Sequence, residues 1–297
     1  MRVGIDVGGT KTEAVAIDAE GALAAQARLS TGFGADGVLA SVRGALELLA
    51  EQLDGRAVTT IGIGIPGAVD HARGRVAHAV NLGLEDLALG DVVAALAGVP
   101  VQVENDVNAA ALGAFHLLGY GAERSLAYLN LGTGMAAGLV LDGRLRRGAR
   151  GAAGEVGHIP IDPDGVLCRC GQRGCLETLG SGSAVARQWP AGGDHPIRSL
   201  FEAAAGGDAL AIEVHRRLID SIASAVRVLV LTVDVDDVVL GGGITSLGDP
   251  LLAAVRDTLR APEADSPFVA SLGLPERVRL TPPGAPVAAI GAALAVA

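Results

Sequence analysis

The sequence predicts an α/β protein built as two related lobes, and three observations carry that reading. Its 297 residues divide, at roughly 150 per domain, into about two units. A strand, a glycine turn and a second strand open the chain at residues 2–17 and recur at 125–141. Long segments with apolar residues at helical spacing lie between and after these units.

In chain order, residues 2–7 are a short apolar strand, Gly8-Gly9 a turn and 12–17 a second strand. Residues 35–53 place Val38, Leu39, Val42, Leu46, Leu49 and Leu53 on one helical face. Residues 59–65 return as a strand that stops at Pro66-Gly67. A brief strand at 101–104 leads into a helix at 105–118, whose first residues are cap formers. Then 125–131 and 136–141 repeat the opening pair of strands around Gly132-Thr133-Gly134. Residues 143–182 are dense in Gly, Arg and Cys and read as a loop tract. The 209–231 run is a helix with Ile212, Val214, Leu218, Ile219, Ile222, Val226 and Leu229 on or near one stripe. A strand at 237–240 ends in Gly241-Gly242-Gly243 and leads to a helix near 250–259, while the proline-dense 261–286 stretch is expected as surface turns. The lobe boundary falls near 115–125, giving lobes of 1–118 and 119–284.

Composition excludes several classes. Half the residues are hydrophobic but 2% are aromatic, so Ala, Val, Leu and Ile must build the core. Lys and Arg number 23 against 33 Asp and Glu, a net charge of −10 that opposes nucleic-acid binding, which needs a basic footprint. Three cysteines are too few for a secreted disulfide scaffold. No run approaches the ~18 apolar residues of a membrane span. The start, MRVGIDVGGTK, carries no signal-peptide pattern, so a cytoplasmic protein without membrane partners is expected.

Three motifs carry chemistry. The first is the glycine turn, which lets the backbone approach an anion and aim N–H groups at it. Asp6-Val7-Gly8-Gly9-Thr10-Lys11 places one at a strand–strand corner, with Asp6 set to hold Mg²⁺ through water. Taken alone this is an ordinary hairpin with a capping Asp. The recurrence at Gly132-Thr133-Gly134 and Gly241-Gly242-Gly243 turns the balance towards a phosphate grip. The spacing of a Walker-A loop is absent, and a Rossmann fingerprint would open a helix instead.

The second motif is Glu104-Asn105-Asp106-Val107-Asn108 at a strand–helix junction. Asn and Asp are good N-caps, contributing about 1 kcal/mol. Taken alone the motif reads first as a cap; the functional reading has Asp106 accept the proton of an attacking hydroxyl, while Asn105 hydrogen-bonds a neighbouring one. The third is His158-x9-Cys168-x-Cys170-x4-Cys175. Three thiolates and one imidazole complete a tetrahedral structural Zn²⁺ site; His116, His195 and His215 are alternative fourth ligands, more distant in sequence. Four protein ligands leave no open position, which disfavours a catalytic zinc. Glu155 and Glu177 flank the cluster, and carboxylates fixed beside a metal suit the recognition of sugar hydroxyls.

These motifs stand in order with Gly64-x-Pro-Gly67, Gly151-x2-Gly-Glu-x-Gly-His158 and Cys168-x-Cys-Gly-x2-Gly-Cys-x-Glu177. The set resembles the ROK family of sugar kinases and sugar-responsive repressors over nearly the whole chain. The resemblance implies an actin-like (ribonuclease H-like) ATPase fold, two lobes with an interlobe cleft where ATP-Mg²⁺ and a hexose meet. It implies Asp106 as the base for the primary hydroxyl, and Asn105, Glu155, His158 and Glu177 as sugar ligands. Zinc would be held by His158, Cys168, Cys170 and Cys175. Gly8, Gly9, Thr10, Lys11, Gly132, Thr133, Gly134, Gly241 and Gly242 would face the nucleotide, with Asp6 at its metal. A homodimer is implied, as is a last helix, within 285–297, that returns to the first lobe.

This chain departs from the family pattern in Met135-Ala136-Ala137, where further glycines are usual, and at Leu84, where relatives often carry an aromatic residue. The expected activity is ATP-dependent phosphorylation of a hexose, glucose first, with N-acetylmannosamine, N-acetylglucosamine and fructose as alternatives. A sugar-sensing regulator of the same family would add an N-terminal helix-turn-helix, for which Asp6 lies too close to Met1. A zinc-stabilised binding protein without catalysis would need neither Asp106 nor three phosphate turns.

Overall fold

The structure is a computed structural model that describes residues 1–296. The chain divides into two compact units. The first comprises Met1–Glu123, Gly138–Ala153 and the chain from Gly284 onward; the second comprises Arg124–Ala137 and Gly154–Pro283.

In the first unit the strands are β1 (Arg2–Val7), β2 (Lys11–Ile17), β3 (Leu23–Ser30), β4 (Thr60–Ile65) and β8 (Val101–Asn105), in the order β3-β2-β1-β4-β8. β1 pairs antiparallel with β2 and parallel with β4, which pairs parallel with β8. A small sheet of β5 (Ala68–Asp70), β6 (Arg75–Ala79) and β7 (Leu84–Leu87) follows β4. Alternation assigns the two faces of the main sheet. Val3, Ile5 and Val7 of β1 and Ile61, Ile63 and Ile65 of β4 share a core with Val38, Val42, Leu49 and Leu53 of the helix Gly34–Leu53. The opposite face carries Gly4 and Gly62, and there the C-terminal helix Val287–Leu294 lies directly on backbone. A Cβ on Gly62 would stand 1.8 Å from the Ala292 carbonyl oxygen, and one on Gly4 1.9 Å from that of Ala289. Helix Asp106–Leu117 packs beside this helix.

The second unit is organised on β9 (Leu126–Leu131), β12 (Asp237–Gly241) and β13 (Val278–Leu280). These belong to a five-stranded sheet ordered β11-β10-β9-β12-β13, with β10 at Met135–Leu141 and β11 at Arg144–Arg146. β12 pairs parallel with both β9 and β13. The helix Ala209–Val233 buries Val214, Leu218, Ile219, Ile222, Val226 and Leu229 of the expected stripe, while Ile212, one turn from its start, is exposed. No helix among the described residues is long and apolar enough to cross a membrane.

Two sequence expectations need correction. Residues 138–153, expected in the second lobe, group with the first unit; Arg147 of this segment pairs with Glu104 there, and Gly138 packs on the Val107 carbonyl. The 261–286 stretch is not simply surface turns: it contains helices Pro267–Ser271 and Leu274–Arg277 and strand β13, with Leu274 and Val278 buried. Proline at the first turn of each helix suits the position, where a backbone N–H has no intrahelical acceptor.

Candidate active site

Parallel pairing gathers the first group of predicted residues at one end of the first sheet. Asp6 registers with Gly64 and Gly64 with Glu104, and Ile65 pairs with Asn105, so β1, β4 and β8 end together. Asn105 is the N-cap of the helix that follows. Its Oδ1 accepts from the backbone N–H groups of Val107 (3.0 Å) and Asn108 (3.2 Å), and its Nδ2 lies 3.5 Å from the Gly67 carbonyl. Capping therefore falls to Asn105, and Asp106 is the first helical residue, half-buried at a helix N-terminus where negative charge is favoured. Burial pushes the Asp6 carboxyl up to about 7, the charges of Asp106 and Glu13 add to the rise, and Lys11 opposes it. The hairpin between β1 and β2 closes through the Gly8 N–H on the Lys11 carbonyl (3.0 Å), leaving Gly9, Thr10 and Lys11 exposed.

The second group assembles within the second unit. Because β12 runs parallel to β9 with Gly241 opposite Asn130, the turns at Gly132–Gly134 and Gly241–Gly243 leave the same sheet end. Gly242 has φ +86°, a conformation glycine adopts without strain, and its Cβ position lies 2.6 Å from the Leu131 carbonyl oxygen. Ser183 pins the second turn, its Oγ donating to the Thr133 carbonyl at 2.7 Å. Glu177 reaches the same turn: a Cβ on Gly134 would lie 3.0 Å from its Oε2.

The imidazole and three thiols converge. Ligand atoms of His158, Cys168, Cys170 and Cys175 all lie within 4.8 Å of one another. Cys168 Sγ is 3.7 Å from His158 Nδ1, and Cys170 and Cys175 Sγ are 3.6 Å apart. His116, by contrast, sits against the Gly21 carbonyl in the first unit. The donor set fits a structural zinc with four protein ligands. Burial raises the Cys168 and Cys175 thiols, while the Gln172 backbone N–H draws Cys170 down to about 6. Since metal binding requires thiolates, proton release accompanies it. With Nδ1 towards the thiols, His158 Nε2 lies 3.8 Å from Glu155 Oε2, and Glu177 Oε1 accepts from Cys168 Sγ at 3.1 Å. The cluster thus sits between the two flanking carboxylates. Sequence reasoning missed Ser183 and Gln172, which act through spatial neighbours that no local motif announces.

An actin-like fold with two mixed-sheet lobes, glycine turns at the sheet ends and a His/Cys cluster defines the class as a sugar kinase that binds ATP. The chain belongs to the ROK family, whose profile matches residues 2–293. It is 31% identical over 279 residues to a glucokinase of Streptomyces coelicolor, covering 88% of this chain and 87% of the relative. It is 34% identical over 247 residues to an N-acetylmannosamine kinase of Yersinia pseudotuberculosis, covering 81% and 82%. Among solved structures, a ROK glucokinase from Streptomyces griseus in complex with glucose and AMPPNP is 30% identical. It superposes with a TM-score of 0.81 over 99% of this chain and 98% of that one. The chain is an ATP-dependent ROK-family kinase acting on a hexose or amino sugar.

Proposed function

We propose that this chain transfers the terminal phosphoryl group of ATP to the primary hydroxyl of glucose, with Asp106 as the base. The carrying observation is the place of Asp106: first residue of a helix, beyond a cap made by Asn105, at the sheet end that also holds Asp6. A helix N-terminus favours negative charge, and the side-chain cap of this helix is supplied by Asn105. It accepts the hydroxyl proton as the sugar oxygen attacks the phosphorus, and ADP departs. Phosphoryl transfer asks little covalent chemistry of the protein beyond such a base and exact placement.

Glu155, His158 and Glu177 supply donors and acceptors for the sugar hydroxyls, together with the remaining amide hydrogens of Asn105. The zinc cluster holds those side chains in place and takes no part in the reaction. Gly8, Gly9, Thr10, Lys11, Gly132, Thr133, Gly134, Gly241 and Gly242 meet the nucleotide. Asp6 fits a site for Mg²⁺: burial is the main cause of its raised carboxyl, and the neighbouring charges of Asp106 and Glu13 add a repulsion that a divalent cation relieves. Association as a homodimer, and no binding of nucleic acid by so acidic a chain, complete the reading.

The test is ADP release measured across glucose, N-acetylmannosamine, N-acetylglucosamine and fructose, with metal analysis of the same sample. A kcat/KM for glucose at least tenfold above every other sugar supports the reading; an N-acetylated sugar ranking first overturns it.

A further inference from the structure

Glu104 takes no part in the chemistry above, yet it is the penultimate residue of β8, immediately before Asn105 and Asp106, with its side chain 2% exposed. Its Oε1 accepts from the Asn105 backbone N–H and from Asn108 Nδ2, each at 3.0 Å. Its Oε2 accepts from Arg147 Nε at 2.7 Å, and His71 Nδ1 stands 3.5 Å away. One carboxylate therefore ties the residues on both sides of Asp106 to an arginine 43 positions further along the chain. Arg147 follows β11, and its carbonyl accepts from the Ala153 N–H (3.2 Å), closing the loop that runs on in sequence to Gly154-Glu155.

We infer that Glu104 and Arg147 form a positioning pair for the reaction. Together they hold the Asn105–Asp106 helix entry and the 147–153 loop, from which the chain proceeds to Glu155, in one fixed geometry. A buried carboxylate is costly unless paired and fully hydrogen-bonded, and loss of one partner leaves the other charge uncompensated. The geometry at Asp106 then depends on Arg147, although Arg147 need touch neither sugar nor nucleotide. The inference rests on the kinase reading for its kinetic consequence, while the structural coupling stands apart from it.

The experiment compares the full-length wild type with Arg147→Met, Arg147→Lys, Glu104→Gln and the Glu104→Gln/Arg147→Met pair. Sugar and ATP kinetics are normalised to the folded fraction, and amide hydrogen exchange is followed on the same samples. Arg147→Met should raise the sugar KM and lower kcat by about tenfold each, with the ATP KM within about twofold of wild type. Arg147→Lys should recover part of the loss. The double variant should be no worse than Arg147→Met, because it removes the uncompensated charge. Amides of 105–108 and 147–153 should exchange at least about tenfold faster together in Arg147→Met. Wild-type sugar kinetics per folded molecule, multiplicative losses in the double variant, or unchanged exchange in either segment would overturn the pair. A wild type inactive on every hexose instead defeats the kinase reading, and the exchange measurement still decides the coupling.

Discussion

Replacing Gly62 with alanine tests the packing on which the first unit depends. The added methyl would stand 1.8 Å from the Ala292 carbonyl oxygen and 2.5 Å from its carbon, against the 3.4 Å at which ordinary contact begins. Strand or helix must therefore yield by about 1.6 Å. Both obstructing atoms are backbone, so no side-chain rotation relieves the clash. Overpacking of a tight interior costs about 1–3 kcal/mol, and a backbone obstruction belongs at the upper end. At roughly 2–4 °C per kcal/mol for a unit of this size, Tm should fall by about 6–12 °C. Gly206→Ala is the control, since its methyl would meet nothing closer than 3.4 Å and its φ of −76° is ordinary helix. That change should alter stability by no more than about 1 kcal/mol. Calorimetry is the assay; the lone tryptophan, Trp189, lies in the second unit and would report on the wrong one. A Tm for Gly62→Ala within 2 °C of wild type, in the same buffer as the control, would refute the close approach of helix to sheet.

Other outcomes follow from the site. Asp106→Asn should lower kcat by about 10²–10⁴-fold with little change in sugar affinity, as expected for removal of a base; near-normal turnover by coupled ADP assay would reject that role. Purified protein should carry about one zinc per chain, and Cys175→Ser should lose it while segment 158–177 becomes open to limited proteolysis. Normal sugar binding by metal-free protein would make the cluster incidental to recognition. His215, whose ring stands 4.5 Å from Phe201, has its pKa lowered by burial, so the unfolded chain binds its proton more readily. Stability should consequently decline as pH falls through about 6.5, and His215→Gln should flatten that slope in denaturant titrations. An unchanged slope would show that His215 does not set it.

What local sequence could announce, it did. The β1–β2 hairpin follows from an apolar run broken by Gly8-Gly9, and the stripe of Ala209–Val233 from its own spacing. The Cys cluster was legible because its thiols lie within eight positions, close enough for the intervening glycines to fold them together. β3 escaped notice although Ala25 and Ala27 alternate with Gln26 and Arg28, because alanine carries little strand preference. The short strands β5–β7 likewise offer too few residues for a period to show.

The tertiary structure decided the rest. Gly4 and Gly62 fall inside strands where nothing local in the sequence calls for glycine, and become necessary only when a helix from the far end of the chain lies on them. Glu104 was visible as part of a motif, but its partner Arg147 was not. That pairing joins residues 104 and 147, both of which belong to the first unit. Periodicity, caps and turns are settled among residues a few positions apart, where chain connectivity enforces proximity. The choice of partner across dozens of residues is settled by shape and by the cost of burying an uncompensated charge, and neither exists until the chain has folded.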